Sequence, residues 1–150
     1  MKIGIASDHR GYVLKEKIIN YLESKSINVD DFGTNSTDSV DYPKYAFKLS
    51  TAIVEKKIAF GIVICGTGIG ISIACNKVRG IRCAKVSSVE ETIHTREDND
   101  ANVVAFGENM DEELAFRIVD AFINTPFSNL EKHKKRIEMI KEYEDSHYAC

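Results

Sequence analysis

Along this chain, short apolar runs bounded by glycine or polar turns alternate with longer stretches in which apolar residues recur every three or four positions. The short runs predict strands at Lys2–Ala6, Val29–Phe32, Phe60–Cys65, Ile81–Val86 and Asn102–Phe106. The longer rhythm predicts helices. Tyr12–Ser26 sets Leu14, Ile18 and Leu22 on one face and charges on the other. A polar loop, Thr34–Tyr42, leads to Pro43, which suits the first position of a helix reaching about Lys56. Val89 to about Arg96 and Glu112–Asn124 follow, Pro126 breaking the latter, and Glu131–Tyr143 is a strongly charged last helix. Strands alternating with helices predict an α/β fold, a Rossmann-like three-layer sandwich around a five-stranded parallel sheet. The last helix has no strand after it. It either covers its own domain or reaches across to a partner subunit.

The chain is organised around one stretch, Phe60 to Lys77. The apolar run Ile62-Val63-Ile64 ends on Cys65, glycines follow at positions 66, 68 and 70, and a second apolar run begins at Ile71. This pattern predicts a buried strand, a tight glycine loop and the first turn of a helix. Such a loop turns backbone N–H groups and the positive end of a helix toward whatever sits above the strand, so negative charge is favoured there. A thiol at the strand's end shares that field, which favours the thiolate. Ligands of parallel sheets bind outside the carboxyl ends of the strands, and that rule sets Asp8 and His9, after the first strand, on the same rim as Cys65.

Composition narrows the classes of function. With 150 residues and no shift in composition, the chain is expected to form a single domain over 1–150. A net charge of −3 argues against a general nucleic-acid surface, and no apolar run approaches membrane-spanning length. The opening MKIGIASDH meets Asp8 too early for a secretory signal. Cys65, Cys75, Cys83 and Cys150 contain no C-x-x-C pair and read as thiols of a reducing, cytoplasmic compartment, with no zinc site.

Several motifs also have plainer readings. Gly66-Thr67-Gly68-Ile69-Gly70-Ile71 is not G-x-G-x-x-G, and no P-loop sequence occurs, so a dinucleotide or ATP site is not expected. Three alternating glycines directly after a strand-terminal cysteine favour an anion site over a simple packing turn. Cys75 and Cys83 sit in apolar surroundings and read as core; Cys150 reads as incidental, and His147 has no supporting context. His94 and Asp98, four apart, suit an ordinary ion pair on a helix. The basic run Lys132–Arg136 suits a solvated helix face, although Lys132 and Arg136, also four apart, can address one anion.

Nearly the whole chain resembles the type B ribose-5-phosphate isomerases, a family that includes the galactose-6-phosphate isomerase subunits. The resemblance runs through Ile3-Gly4, Asp8-His9 and Asp41-Tyr42-Pro43, and is strongest over Cys65-Gly66-Thr67-Gly68-Ile69-Gly70-Ile71-Ser72. It resumes at Asn76-Lys77, Gly80-Ile81-Arg82, Asn99-Asp100-Ala101-Asn102 and Phe106-Gly107, and ends with His133 and Arg136. The resemblance implies an aldose–ketose isomerase of a small sugar phosphate, with no metal and no cofactor. It implies a homodimer or tetramer whose last helix packs on the partner subunit and whose active site is shared between subunits. Cys65 would move the proton between C1 and C2, Thr67 would shuttle a proton between the two oxygens, and the amides from Gly66 through Gly68 and Ile69 to Gly70 would hold the enediolate. Asp8 and His9 would contact sugar and phosphate, Tyr42 would lie beside the substrate, Lys132 and Arg136 would bind phosphate, and Asn99 would come from the other subunit.

The chain also departs from the family's pattern. Asp98 replaces the ring-opening histidine of an H-N-D sequence; a carboxylate accepts a proton readily but is a poor acid at neutral pH. His94, one turn earlier, is another candidate for that task. Asn109 stands where an arginine is expected, and Lys132 replaces the arginine of a G-G-R-H sequence, keeping charge but losing the bidentate fork. The leading expectation is interconversion of ribose 5-phosphate and ribulose 5-phosphate. The alternatives are a hexose 6-phosphate, allose or galactose 6-phosphate, and a non-catalytic sugar-phosphate-binding protein.

Overall fold

Five parallel strands form one sheet in the order β2-β1-β3-β5-β4, in a computed structural model that describes residues 1–148. Cys150 lies outside the described residues. The strands are β1 Ile3–Ser7, β2 Val29–Asp31, β3 Phe60–Cys65, β4 Cys83–Lys85 and β5 Val103–Gly107. The helices are α1 Tyr12–Ser24, α2 Tyr42–Val54, α3 Ile69–Asn76, α4 Val89–Asn99, α5 Glu112–Asn124 and α6 Glu131–Tyr148. The result is the predicted α/β sandwich.

Each central strand is buried on both faces, which is why these strands read as nearly continuous apolar runs. Ile3, Ile5, Ile62, Ile64, Val104 and Phe106 pack with Leu14, Ile18 and Leu22 of α1 and Ala115, Ile118, Val119 and Phe122 of α5. Ala6, Val63, Cys65, Val103 and Ala105 face the other way, onto Tyr45, Ala46 and Leu49 of α2 and Ile71, Ala74 and Cys75 of α3. Burying each large aliphatic side chain contributes about 1.5–3 kcal/mol, so the two layers together hold the sheet. Small residues set the spacing: a Cβ on Gly4 would lie 2.3 Å from Ile58 Cδ1.

Register decides where chemistry can collect. Ser7 pairs with Ile64 across β1 and β3, and Cys65 pairs with Gly107 across β3 and β5. Three adjacent strands therefore end together, with the sheet's change of direction between β1 and β3 at the same place.

α1 and α2 stop about two residues short of their predicted ends, whereas α4 and α6 run past theirs, and these two extensions matter for the site. α4 runs past Arg96 to Asn99 because Arg96 is buried and ties the following turn together. Its Nη1 donates to Asp100 Oδ1 at 2.9 Å and to Ala101 O at 2.7 Å, and its Nε donates to Thr125 O at 3.0 Å. The guanidinium also stacks over Phe60, 4.8 Å from the ring centroid. Asp100, with φ of 46°, ends the helix. α6 extends to Tyr148 and leans on α4, leaving Met139, Ile140 and Tyr143 half or more exposed. Among the described residues no helix is long and apolar enough to cross a membrane.

Candidate active site

The glycine loop is shaped by how closely two backbones approach. Gly68 has φ of 80°, and a Cβ there would lie 2.6 Å from the carbonyl carbon of Phe106 on β5. Only glycine fits such a position, and it turns the chain sharply enough for α3 to begin at Ile69. The same turn points the Gly68 N–H at the Cys65 sulfur, 3.2 Å away. Cys65 is 4% exposed, and its side chain belongs to the α2–α3 layer. The sulfur thus lies buried at the start of α3, where the helix dipole and the loop amide favour negative charge. Beside it, Thr67 Oγ1 accepts from the Ile69 N–H at 3.1 Å, which leaves the hydroxyl proton free to be donated outward.

The flanking strands complete this edge. Asp8 is 5% exposed, and its Oδ1 accepts from the N–H groups of Arg10 and Gly11 at 3.0 and 3.1 Å, closing the turn into α1. Its Oδ2 has no hydrogen bond among the described residues. His9 Nδ1 accepts from the Val40 N–H at 3.1 Å; in that tautomer Nε2 carries the proton. Tyr42 opens α2 and lies against the loop: a Cβ on Gly70 would come within 2.7 Å of its ring. Asp8, His9, Tyr42, Cys65, Thr67 and the loop from Gly66 to Gly70 are thus one cluster.

Arg10 and Glu108 belong to this edge as well, although neither was singled out from the sequence. Arg10 donates from Nη2 and Nε to Glu108 Oε1, at 2.6 and 3.1 Å, and its guanidinium covers Gly66. The hydrogen bond and negative charge of Glu108 push Arg10 above its ordinary value, with smaller contributions from Asp8 and Cys65. The only sequence signal was adjacency, Arg10 to Asp8-His9 and Glu108 to Gly107. Asn109 is exposed and lines a separate groove of about 370 Å³ with Arg10, Lys17 and Glu112.

The remaining candidates form a second cluster, at the other end of the sheet. α4 runs back from the carboxyl edge, so its last turn, with Asp98 and Asn99, lies beyond the amino end of β5. β5 alone separates the two edges by roughly 13 Å. Asp98 does not pair with His94, which is exposed; it pairs with His133 of α6, whose Nε2 lies 3.2 Å from Asp98 Oδ1. The helix spacing allowed the His94 pairing, but the docking of α6 on α4 supplies a nearer imidazole. Asn99 Oδ1 accepts from Thr95 Oγ1 at 3.1 Å. Lys132 and Arg136 are exposed and have no ion-pair partner among the described residues. A groove of about 790 Å³ lies here; Asn99, Arg136, Met139 and Tyr143 are among its walls.

The other two described thiols are structural. Cys75 is fully buried, and Cys83 is half-buried at the start of β4. Cys75 and burial push Cys83 well up, while a hydrogen bond from Cys83 draws Cys75 down. Among the described residues no cluster of His, Cys, Asp and Glu is arranged to hold a metal ion.

Comparison with known proteins places this geometry in context. The sequence profile of the ribose/galactose isomerase family matches residues 3–140. The chain is 40% identical to ribose-5-phosphate isomerase B of Escherichia coli over 144 residues, covering 95% of this chain and 96% of the relative. A solved structure of ribose-5-phosphate isomerase B from Clostridium thermocellum superposes with a TM-score of 0.95 at 44% identity, covering 98% of this chain and 99% of the other. The enzyme from Mycoplasma genitalium, solved with bound ribulose 5-phosphate, superposes with a TM-score of 0.91 at 37% identity, covering 96% of each chain.

The loop geometry makes one prediction. Gly68→Ala forces a side chain into the left-handed region and against the Phe106 backbone, which costs about 1–3 kcal/mol in backbone strain alone. Urea denaturation should register at least that loss. An unchanged unfolding free energy would mean that the loop can relax away from β5.

Proposed function

The chain belongs to the ribose/galactose isomerase family, and from that premise we propose that it interconverts ribose 5-phosphate and ribulose 5-phosphate by proton transfer at Cys65. The observation that carries this reading is the Gly68 N–H aimed at the buried Cys65 sulfur, 3.2 Å away, inside a glycine loop that opens a helix. Isomerisation of an open-chain aldose needs a base for the weakly acidic C2–H, and a place for the negative charge that then spreads over O1 and O2. The Cys65 thiolate takes the C2 proton and returns it to C1. Loop N–H groups hold the enediolate between the two steps. Thr67, whose hydroxyl is fixed by the Ile69 N–H, relays the remaining proton from O2 to O1. The product has the same atoms as the substrate, and the thiolate is restored. Intact Cys65, Thr67 and loop glycines argue against a non-catalytic sugar-phosphate binder.

Phosphate binding and ring opening are assigned to the second cluster, contributed by another copy of the chain. Within one chain Asp98, Asn99, Lys132 and Arg136 stand at the wrong edge of the sheet to meet a substrate at Cys65. A homodimer with shared sites accounts for this separation. It also gives the exposed apolar residues of α6, Met139, Ile140 and Tyr143, something to cover them. Ring opening requires a base at the anomeric hydroxyl and an acid at the ring oxygen. The Asp98–His133 pair, at 3.2 Å, offers one of each. A carboxylate in the ring-opening position also keeps a hexose 6-phosphate as the second reading, since the ring to be opened is part of what this position recognises.

Three measurements test these assignments. Across a panel of pentose and hexose phosphates, kcat/KM should be highest for ribose 5-phosphate, and Cys65→Ala should abolish turnover while sugar-phosphate binding survives; wild-type turnover in that variant would put the base elsewhere. Mixing Cys65→Ala with Asn99→Ala protein and allowing subunits to exchange should restore activity to about a quarter of wild type, because half of the dimers then carry one intact site. No recovery would mean that each chain builds its site alone. Asp98→Asn should slow turnover of the ring-closed substrate and spare a substrate that is open-chain; equal slowing of both would remove Asp98 from ring opening.

A further inference from the structure

We propose that the Arg10–Glu108 ion pair is a strap across the glycine loop, which makes Arg10 a positioning residue for the Cys65 sulfur. The inference rests on the isomerase reading above and adds a residue pair to it.

Topology gives the first argument. β3 lies between β1 and β5 in the sheet. Arg10 follows the end of β1, and Glu108 is the first residue after β5. Their ion pair therefore crosses over the end of β3, where Cys65 and Gly66 sit. Both donors, Nη2 and Nε, converge on the single oxygen Oε1, at 2.6 and 3.1 Å, which fixes the plane of the guanidinium.

Contact with the loop gives the second. A Cβ built on Gly66 would lie 2.9 Å from Arg10 Nη1, 3.0 Å from Cζ and 3.2 Å from Nε. Three nearly equal distances mean that the planar group lies face-on over Gly66, filling the space a side chain would take there. From the other side the Glu108 N–H donates to Cys65 O at 3.0 Å, with Gly66 O at 3.4 Å. The segment that carries Cys65 is thus held between Arg10 and the backbone of Glu108. Release of that segment would let the Gly68 N–H drift from the sulfur it addresses.

Exposure gives the third. More than half of the Arg10 side chain meets solvent, and ion pairs this open add little to stability. What the pair can do is hold geometry, and its loss should be read in turnover.

The test uses the full chain with Arg10→Met, Glu108→Gln, the double variant and Arg10→Lys. If the pair is a strap, both single variants lower kcat by about 10- to 100-fold, as a misplacement on the ångström scale does, with KM within about twofold. The double variant falls no further, because each single change already breaks the same contact. A hydroxamate that mimics the enediolate loses affinity by the same factor, whereas the unreactive alcohol ribitol 5-phosphate binds as before. Arg10→Lys recovers only part of the loss, since an ammonium cannot lie flat on Gly66. Opposite effects of the two single variants, with Glu108→Gln lowering KM and Arg10→Met raising it, would overturn the strap and make Arg10 a direct ligand of the substrate anion. So would variants whose Tm falls while the ratio of hydroxamate to ribitol 5-phosphate affinity stays constant, or variants indistinguishable from wild type. A wild-type protein inactive on every sugar phosphate would sink the isomerase reading itself and the strap with it. An active wild type whose variants keep wild-type kcat sinks only the strap.

Discussion

Everything at the candidate site depends on one close approach, the backbone of the Gly66–Gly68 loop lying against the backbone of Phe106 and Gly107. A Cβ on Gly68 would meet the Phe106 carbonyl carbon at 2.6 Å, and a Cβ on Gly107 would meet Gly66 O at 3.0 Å. With no side chain between them, the end of β5 and the loop after β3 behave as one rigid piece. That contact places the Gly68 N–H on the Cys65 sulfur and starts α3 where its dipole favours an anion. It also brings Glu108 under the loop, from which Arg10 can be reached. The proposed base, the proposed anion hole and the supporting ion pair all depend on two glycines at facing positions.

The parallel sheet imposes the opposite kind of constraint. Its helices carry the chain back from the carboxyl edge, so residues at helix ends collect at the amino edge. Asp98 and Asn99 close α4 there, and α6 brings His133 and Arg136 beside them. No adjustment of side chains can move these groups to Cys65. The fold therefore separates two clusters of polar side chains, one built on rigid strand ends and one on helix ends. The proposed dimer with shared sites is the arrangement that uses both.

Legibility in the sequence followed the range of the interactions. The strand–loop–helix around Cys65 could be read because its determinants are local: an apolar run, alternating glycines and a second apolar run within eighteen residues. The five strands and their layers were equally plain, because burial on both faces leaves continuous apolar runs. Arg10 and Glu108 lie 98 positions apart, and nothing near either residue announces the other. The partner of Asp98 was misread for a related reason. Helix spacing offers His94, but tertiary docking of α6 decides for His133, 35 positions away by number. The pattern ends α4 at about Arg96, and that residue itself accounts for the extra turn: its side chain bonds forward to Asp100 and Ala101 and carries the helix on to Asn99.

The chain's departures from the family's pattern then sort themselves by half-site. Cys65, Thr67 and the glycines, to which we assign proton transfer, follow the pattern of the resemblance, and they sit where backbone contacts leave least freedom. Asp98 and Lys132 stand on helices whose side chains face solvent or α6, where substitution disturbs no close packing. Asn109 is the exception, exposed on the carboxyl edge itself, next to Glu108. Proton transfer makes the same demand of every aldose phosphate, namely a base and two oxygens' worth of charge stabilisation. Ring size and chain length are recognised elsewhere. A fold that builds the first task on strand ends and the second on helix ends can change its substrate without disturbing its chemistry, and this chain differs where such a change is physically cheapest.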